Sequence, residues 1–237
     1  MVEPIQIERR KLFEHVAEHL QGLILSGELA PGARLPPERE LQNAFGVGRP
    51  AIREALITLE RAGLIEIGNG LPARVARPSA AGLLTAMVPT VRHMLSTTEG
   101  NRSFQAIRLL VEVGLVRQAA KQATPDLIRD LKAALDTNWA CLDRPEDFIK
   151  SDVAFHYVIG AFSGDPAILA IHGAVQDWLL DQRKVAGREP GERERACEAH
   201  AGIFAAIEAQ DPDAAEAAMR AHLHSGWASY WKHVADV

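Results

Sequence analysis

Cysteine, tyrosine and long apolar runs are all scarce in this sequence: its 237 residues include two cysteines and two tyrosines, and aromatic residues make up only 5%. Cys141 and Cys197 lack Cys-x-x-Cys spacing, which argues against a disulfide framework and a cysteine zinc site and leaves both as buried filler in helical segments. No apolar run reaches the roughly eighteen residues of a membrane span, and the opening MVEPIQIERRKLFEH has no basic region followed by an apolar core. The chain is therefore expected to have neither a membrane span nor a secretory signal, and to be cytoplasmic. A bulk excess of positive charge is missing too, since the net charge is −5. Fixed-period repeats and low-complexity segments are also missing, and the length predicts two modest domains, each with its own core.

Charge is uneven along the chain. Residues 1–80 hold ten basic and ten acidic side chains, so the whole acidic excess lies in the remainder. A neutral first domain can still present a basic face if its arginines cluster. From Ile7 to Leu25 apolar residues recur at Leu12, Val16, Leu20, Leu23 and Ile24, a helical period that stops at Ser26-Gly27. Pro36-Pro37 then opens a short helix with Glu38 and Glu40 in its first turn and Leu41, Ala44 and Phe45 directed inward. The GVG turn, Gly46 to Gly48, leads to a second helix with Pro50 in its first turn, running on Ile52, Ala55, Leu56 and Leu59 to a stop at Gly63. Two short helices joined by a tight turn make a helix-turn-helix. LIEIGNGLPARVA turns at Asn69-Gly70 and returns through Arg74-Val75, a two-stranded wing. The expected fold class is mainly α: a winged helix-turn-helix over 1–78, then an all-helical bundle of six or seven helices over 79–237.

A helix-turn-helix inserts its second helix into the major groove of DNA. Arg49 and Arg53 lie one turn apart there, away from the Ile52, Ala55 and Leu56 face, and an arginine paired to guanine is worth about 1–3 kcal/mol of discrimination. Arg39 on the preceding helix and Arg34 before it are placed to reach phosphates or base edges. Asn69 and Arg74 stand at the wing, where minor-groove or backbone contacts are expected. Arginines also recur along helices simply because they solvate the outer face; their shared side of a helix-turn-helix favours double-stranded DNA as the partner.

The stretch RLPPERELQNAFGVGRPAIREALITLERAGLIEI strongly resembles the DNA-binding domain of GntR-family bacterial transcription regulators, whose pattern is LPxERELxxxFGVxRxxxREALxxLxxxGLI. The resemblance implies that Arg39, Arg49 and Arg53 contact an operator and that Asn69 enters the minor groove. Gly48 departs from it, standing where many members have a Ser or Thr able to bind a phosphate. Two half-sites in such operators imply a symmetric homodimer.

After Pro78 the pattern is helical throughout, with segments expected near 82–97, 101–123, 125–142, 146–163, 167–186, 192–210 and 212–235, separated at Gly100, Pro125, Pro145, Gly164-Asp165-Pro166, GREPGERE and Asp211-Pro212. KSDVAFHYVIG places Asp152 and His156 one turn apart on the face that carries Phe155 and Ile159. His200 shares a face with Ile203, Phe204 and Ile207, and His222 with Ala218, Met219 and Leu223. Each is a polar group on an inward face. Taken singly, such a histidine is more often a satisfied core residue. Taken together, the four make an Asp-His-His-His site for a divalent transition metal.

This half resembles the FCD-type ligand-binding domain of the family's fatty-acid-regulator subgroup, whose D-x3-H signature and two later histidines fall on Asp152, His156, His200 and His222. The resemblance implies a metal, zinc or alternatively nickel, at the bottom of a helical pocket that takes a carboxylate effector. Arg108 matches a subgroup arginine facing that pocket and so becomes an effector-binding candidate, although Glu112 one turn later also allows a plain ion pair. His172 and His224 fall outside the signature, as supporting or surface residues. SDVAFHYVIGAFSGDPAILAIHGAVQDWLL and NGLPARVARPSA resemble in particular a branch of repressors of sialic-acid catabolism, which implies N-acetylneuraminate or another sugar acid as effector, with a small hydroxy- or dicarboxylate as the alternative. A metal-dependent hydrolase fits less well, because no further Glu or His stands out as a general base beside the ligands and a hydrolase has little use for a DNA-reading domain. A purely structural metal remains a third reading.

Overall fold

A computed structural model describes residues 11–68, 72–77 and 79–234. The chain forms two compact units, Met1–Leu83 and Leu84–Val237, and the division falls a few residues beyond the expected 78/79 boundary.

The first unit holds α1 (Leu12–Leu25), α2 (Glu38–Phe45), α3 (Arg49–Arg61), β1 (Ile65–Glu66) and β2 (Arg74–Val75). Glu14 reaches back to accept from the Lys11 amide at 2.9 Å and secures the start of α1. Gly46, at φ 65°, ends α2 in a left-handed turn that only glycine adopts cheaply, and α3 then starts with Pro50 in its first turn. Val16, Leu20, Leu41, Ile52, Leu59, Ile65 and Val75 close the core. Leu41 and Phe45 face that core as expected, but Ala44 is exposed: one residue before Phe45, it is turned about 100° away on so short a helix. The hairpin pairs Ile65 with Val75 and Glu66 with Arg74, and Arg34 adds a bridge to Arg74 from the loop before α2. The expected turn residues Asn69 and Gly70, and the expected domain end Pro78, lie outside the described residues.

Helix α4 (Ala80–Leu95) crosses the division between the units. It is followed by α5 (Thr98–Lys121), α6 (Pro125–Ala140), α7 (Pro145–Ala161), α8 (Pro166–Trp178), α9 (Leu180–Ala186), α10 (Glu192–Glu208) and α11 (Pro212–Val234). Local chemistry explains the starts: Thr97, Thr124 and Asp165 each accept amide hydrogens at the heads of α5, α6 and α8, and prolines fill the first turns of α6, α7 and α8. Val116, Leu131, Phe155, Ile159, Ile203, Ile207, Met219 and Leu223 form the main core, each worth about 1.5–3 kcal/mol of transfer free energy or somewhat more for the aromatic.

Two expectations fail here. Gly100 does not separate helices but sits in the first turn of α5, where a Cβ would come within 1.9 Å of the Met94 carbonyl; the glycine serves close packing. The segment 167–186 is two helices, not one, which makes eight helices from α4 onward among the described residues. Leu179, with φ −100° and ψ 11°, breaks the run while burying its side chain with Val91, Phe104 and Val175. Arg183 covers the break by donating to the Gln176 carbonyl at 3.1 Å. No glycine or proline marks this break, so the sequence gives no punctuation there.

Candidate metal centre

The apolar period of α7 buries Phe148, Phe155 and Ile159, and that same face carries Asp152 and His156 into the bundle. Helix α10 adds His200 and α11 adds His222. One donor atom from each of the four lies within 4.8 Å of the others. His156 Nε2 and His200 Nε2 are each 3.2 Å from His222 Nε2, and Asp152 Oδ1 is 3.6 Å from His200 Nε2. Phe155 stacks on the His200 ring at 4.2 Å between centroids and fixes its plane. All four residues expected from the sequence to ligate a metal are thus brought together.

A second ring of groups decides which nitrogen faces inward. His156 Nδ1 lies 3.1 Å from Glu112 Oε2, a carboxylate that only accepts, so the histidine donates through Nδ1. His200 Nδ1 lies 2.8 Å from Asn138 Oδ1; the Asn138 amide nitrogen donates to Ser151 Oγ at 2.9 Å, which identifies that oxygen as the acceptor. Both rings therefore carry their proton on Nδ1 and turn their Nε2 lone pairs to the same small volume, where His156 Nε2 also lies 3.3 Å from the donor Arg108 Nη2. Among the histidines, a single His222 N–H can reach only one of the two at a time, and a cation in that volume would draw on both along with Asp152. The donor set, three imidazoles and one carboxylate oxygen, fits a divalent transition metal.

Electrostatics keep the histidines neutral. Burial pulls His156 down to about 4 despite Glu112, pulls His200 down to about 3 despite Asp152, and holds His222 well below the usual histidine range. Burial alone would raise Asp152 and Glu112; Arg183 and the histidines hold Asp152 below the usual carboxylate range, and His156, His172 and Arg108 do the same for Glu112. Arg183, lowered by burial and by Arg108 to about 10, stays charged at neutral pH. Two guanidiniums therefore balance two carboxylates around the neutral histidines.

Asp152 and His222 open onto a cavity of about 560 Å³, also bordered by Arg108, Arg183, Phe148 and Trp227. Arg108 forms the ion pair and also borders the cavity. Nε donates to Glu112 Oε1 at 3.1 Å in a buried ion pair, Nη2 lies 3.3 Å from His156 Nε2, and the side chain still lines the cavity. Sequence spacing points to Glu112 only as a partner of Arg108, yet it joins His156, His172 and Gln176 as well. His172 is fully buried, a supporting residue, whereas His224 is exposed. Asn138, Gln176 and Arg183 carry no sequence signal for their roles, because each meets its partners only once the helices are packed.

In the first unit Arg34, Arg39, Arg49, Arg53 and Arg74 are all exposed. Arg39 and Arg53 form no ion pair among the described residues. Arg49 pairs with Glu38 at 3.1 Å across the two helices, and Arg74 donates to the Gly32 carbonyl at 3.1 Å, bracing the wing. Asn69 lies outside the described residues.

Residues 12–75 match the family described as bacterial regulatory proteins, gntR family, and residues 104–225 match the FCD domain. The chain is 42% identical over 221 residues to the HTH-type transcriptional repressor NanR of Klebsiella aerogenes, covering 92% of this chain and 85% of that protein. Identity to the NanR of Cronobacter sakazakii is also 42%, over 226 residues, 94% of this chain and 87% of the relative. Among solved structures, Streptococcus agalactiae GntR superposes with a TM-score of 0.57 at 25% identity, over 90% of this chain and 97% of that one. Escherichia coli McbR/YncC, at 18% identity and a TM-score of 0.53 over 94% and 98% of the two chains, shares the fold. No described helix is long and apolar enough to cross a membrane. With a helix-turn-helix at one end and a helical domain built around converging donors at the other, the chain belongs to the gntR family of bacterial transcription regulators, in the group that carries an FCD domain, and is a regulator rather than an enzyme.

Proposed function

We propose that this protein is a metal-dependent repressor that releases its operator when a carboxylate effector, N-acetylneuraminate or a related sugar acid, binds beside the metal. The observation that carries this reading is the set of inward-facing Nε2 lone pairs beside Asp152, at one end of a cavity large enough for an acid sugar. Asp152, His156, His200 and His222 hold the metal, zinc or alternatively nickel, which when bound supplies a Lewis-acidic positive centre. Charge supports an anionic effector. The buried cluster is neutral as folded, so a divalent cation leaves positive charge that an anion offsets. Trp227 and Tyr230 give the cavity an aromatic wall suited to the apolar face of a sugar.

In this reading Arg39, Arg49 and Arg53 contact the operator, with Arg34, Asn69 and Arg74 supporting at the wing. Two copies bind two half-sites, and exposed Met87, Met94, Ile107 and Leu110 on α4 and α5 supply apolar surface for a homodimer. A coupling of about 1–3 kcal/mol between effector and operator, roughly 5- to 150-fold, suffices for control. The test is operator binding by the metal-loaded protein with and without N-acetylneuraminate. Weakened binding that disappears in the Asp152→Ala, His156→Ala double variant is expected; a purely structural metal predicts an operator affinity indifferent to any carboxylate.

A further inference from the structure

Asp152 divides its two oxygens between different partners. Oδ1 faces the histidines, 3.6 Å from His200 Nε2, while Oδ2 accepts from Arg183 Nε at 2.9 Å. Arg183 is itself anchored. Its Nη1 donates to the Gln176 carbonyl at 3.1 Å, its Nη2 donates to Gln176 Oε1, and Gln176 Nε2 in turn donates to Glu112 Oε1 at 2.6 Å. The Arg183 side chain is only 9% exposed, yet it borders the cavity beside Asp152 and His222. This arginine thus touches both Asp152 and the space an effector would enter.

We infer that Arg183 is a positioning residue: by holding Oδ2 it restricts Asp152 to a single ligating oxygen and so reserves a place on the cation for an incoming carboxylate. The inference rests on the metal-and-carboxylate reading above and deepens it. A carboxylate can bind a cation through one oxygen or both. Four protein donors leave further positions open on a divalent cation that takes more than four ligands, as zinc does when it expands beyond a tetrahedral set. A chelating Asp152 would fill one of them. Removing the guanidinium leaves Oδ2 buried and unpaired, and the nearest compensation for it is the cation itself. Arg183 therefore acts in opposite directions on the two ligands: without it the metal is held at least as firmly, and the carboxylate is shut out. An ion pair that merely braces α7 against α9 would make both weaken together.

Cobalt(II) serves as the probe metal, because its visible absorption reports changes in coordination, and acetate serves as the minimal carboxylate. The full-length protein and its Arg183→Gln and Arg183→Lys variants are loaded with cobalt and titrated with acetate, and cobalt affinity is measured against a competing chelator. Arg183→Gln is expected to bind cobalt as tightly as the wild type or more so, and to bind acetate at least tenfold more weakly with little spectral change. Arg183→Lys, which keeps the charge but loses the fork, is expected to fall between the two, and it carries the test alone if the glutamine variant does not fold. Acetate binding by the variants equal to wild type overturns the inference, as does a parallel loss of cobalt and acetate. A wild-type protein that takes up no cobalt, or whose spectrum ignores acetate, instead overturns the metal-and-carboxylate reading together with this inference.

Discussion

The two units carry their polar residues in opposite ways. In the first, a small apolar core centred on Ile52, Leu59 and Ile65 supports arginines that stay exposed and meet few protein partners. In the second, Arg108, Glu112, Asn138, His156, His172, Gln176 and His200 are buried, and each is held by several others. Exposed charges cost the fold little and are free to meet DNA phosphates and bases. Buried ones cost several kcal/mol each unless paired, so their arrangement has to be completed by partners.

That contrast can be broken first at Glu112. It joins Arg108, His156, His172 and Gln176 in a site closed to solvent, so Glu112→Ala leaves a buried guanidinium unpaired. Stability should drop by about 3–5 kcal/mol in urea unfolding monitored by circular dichroism. A loss below about 1 kcal/mol would mean that the network is not the tight one described.

Protonation acts on the same buried groups with an effect of similar size. His156 and His200 resist protonation in the folded state down to about 4 and about 3, whereas in the unfolded chain they take up protons below about 6.5. The unfolded state thus binds more protons between these limits, and the metal-free protein should lose stability as pH falls through that window, by about 1.4 kcal/mol per pH unit for each histidine. Melting curves from pH 7 to pH 4.5 that stay flat would contradict the burial assigned to these rings.

Arg53→Ala sharpens the comparison from the other side. Operator affinity should fall by about 1–3 kcal/mol while metal content and melting temperature stay unchanged, as gel shifts and metal analysis would show. Smallest of all is the exposed Arg49–Glu38 pair: Glu38→Gln should change stability by less than about 1 kcal/mol, and by freeing Arg49 it should leave operator binding equal or slightly stronger. A marked loss of operator affinity in that variant would show that the pair orients Arg49.

How much could be read from the sequence follows the same division. The helix-turn-helix is local: the period of Ile52, Leu56 and Leu59, the proline at the head of α3 and the glycine after α2 all lie within a short stretch, and Asp152 and His156 announce themselves by sitting one turn apart on an apolar face. The groups that set the histidine tautomers do not. Glu112 and His156 are 44 residues apart, and Asn138 and His200 are 62 apart; only packing makes them neighbours. Arg183 was hidden by a helix break without glycine or proline, since a continuous helix would not bring its side chain back over the Gln176 carbonyl. The strand bridge from Arg34 to Arg74 is likewise invisible, because Arg34 lies in a loop with no alternation of its own.

The central claim, that the convergent histidines form a metal site, is tested most directly by titrating the metal-free protein with zinc and repeating the titration on His200→Ala, whose ligand is lost while its helix keeps its apolar face. The wild type should take up about one equivalent per chain, with affinity falling more than about 100-fold in the variant, beyond what the loss of a supporting residue costs. No uptake by the wild type, or equal uptake by both proteins, would contradict it.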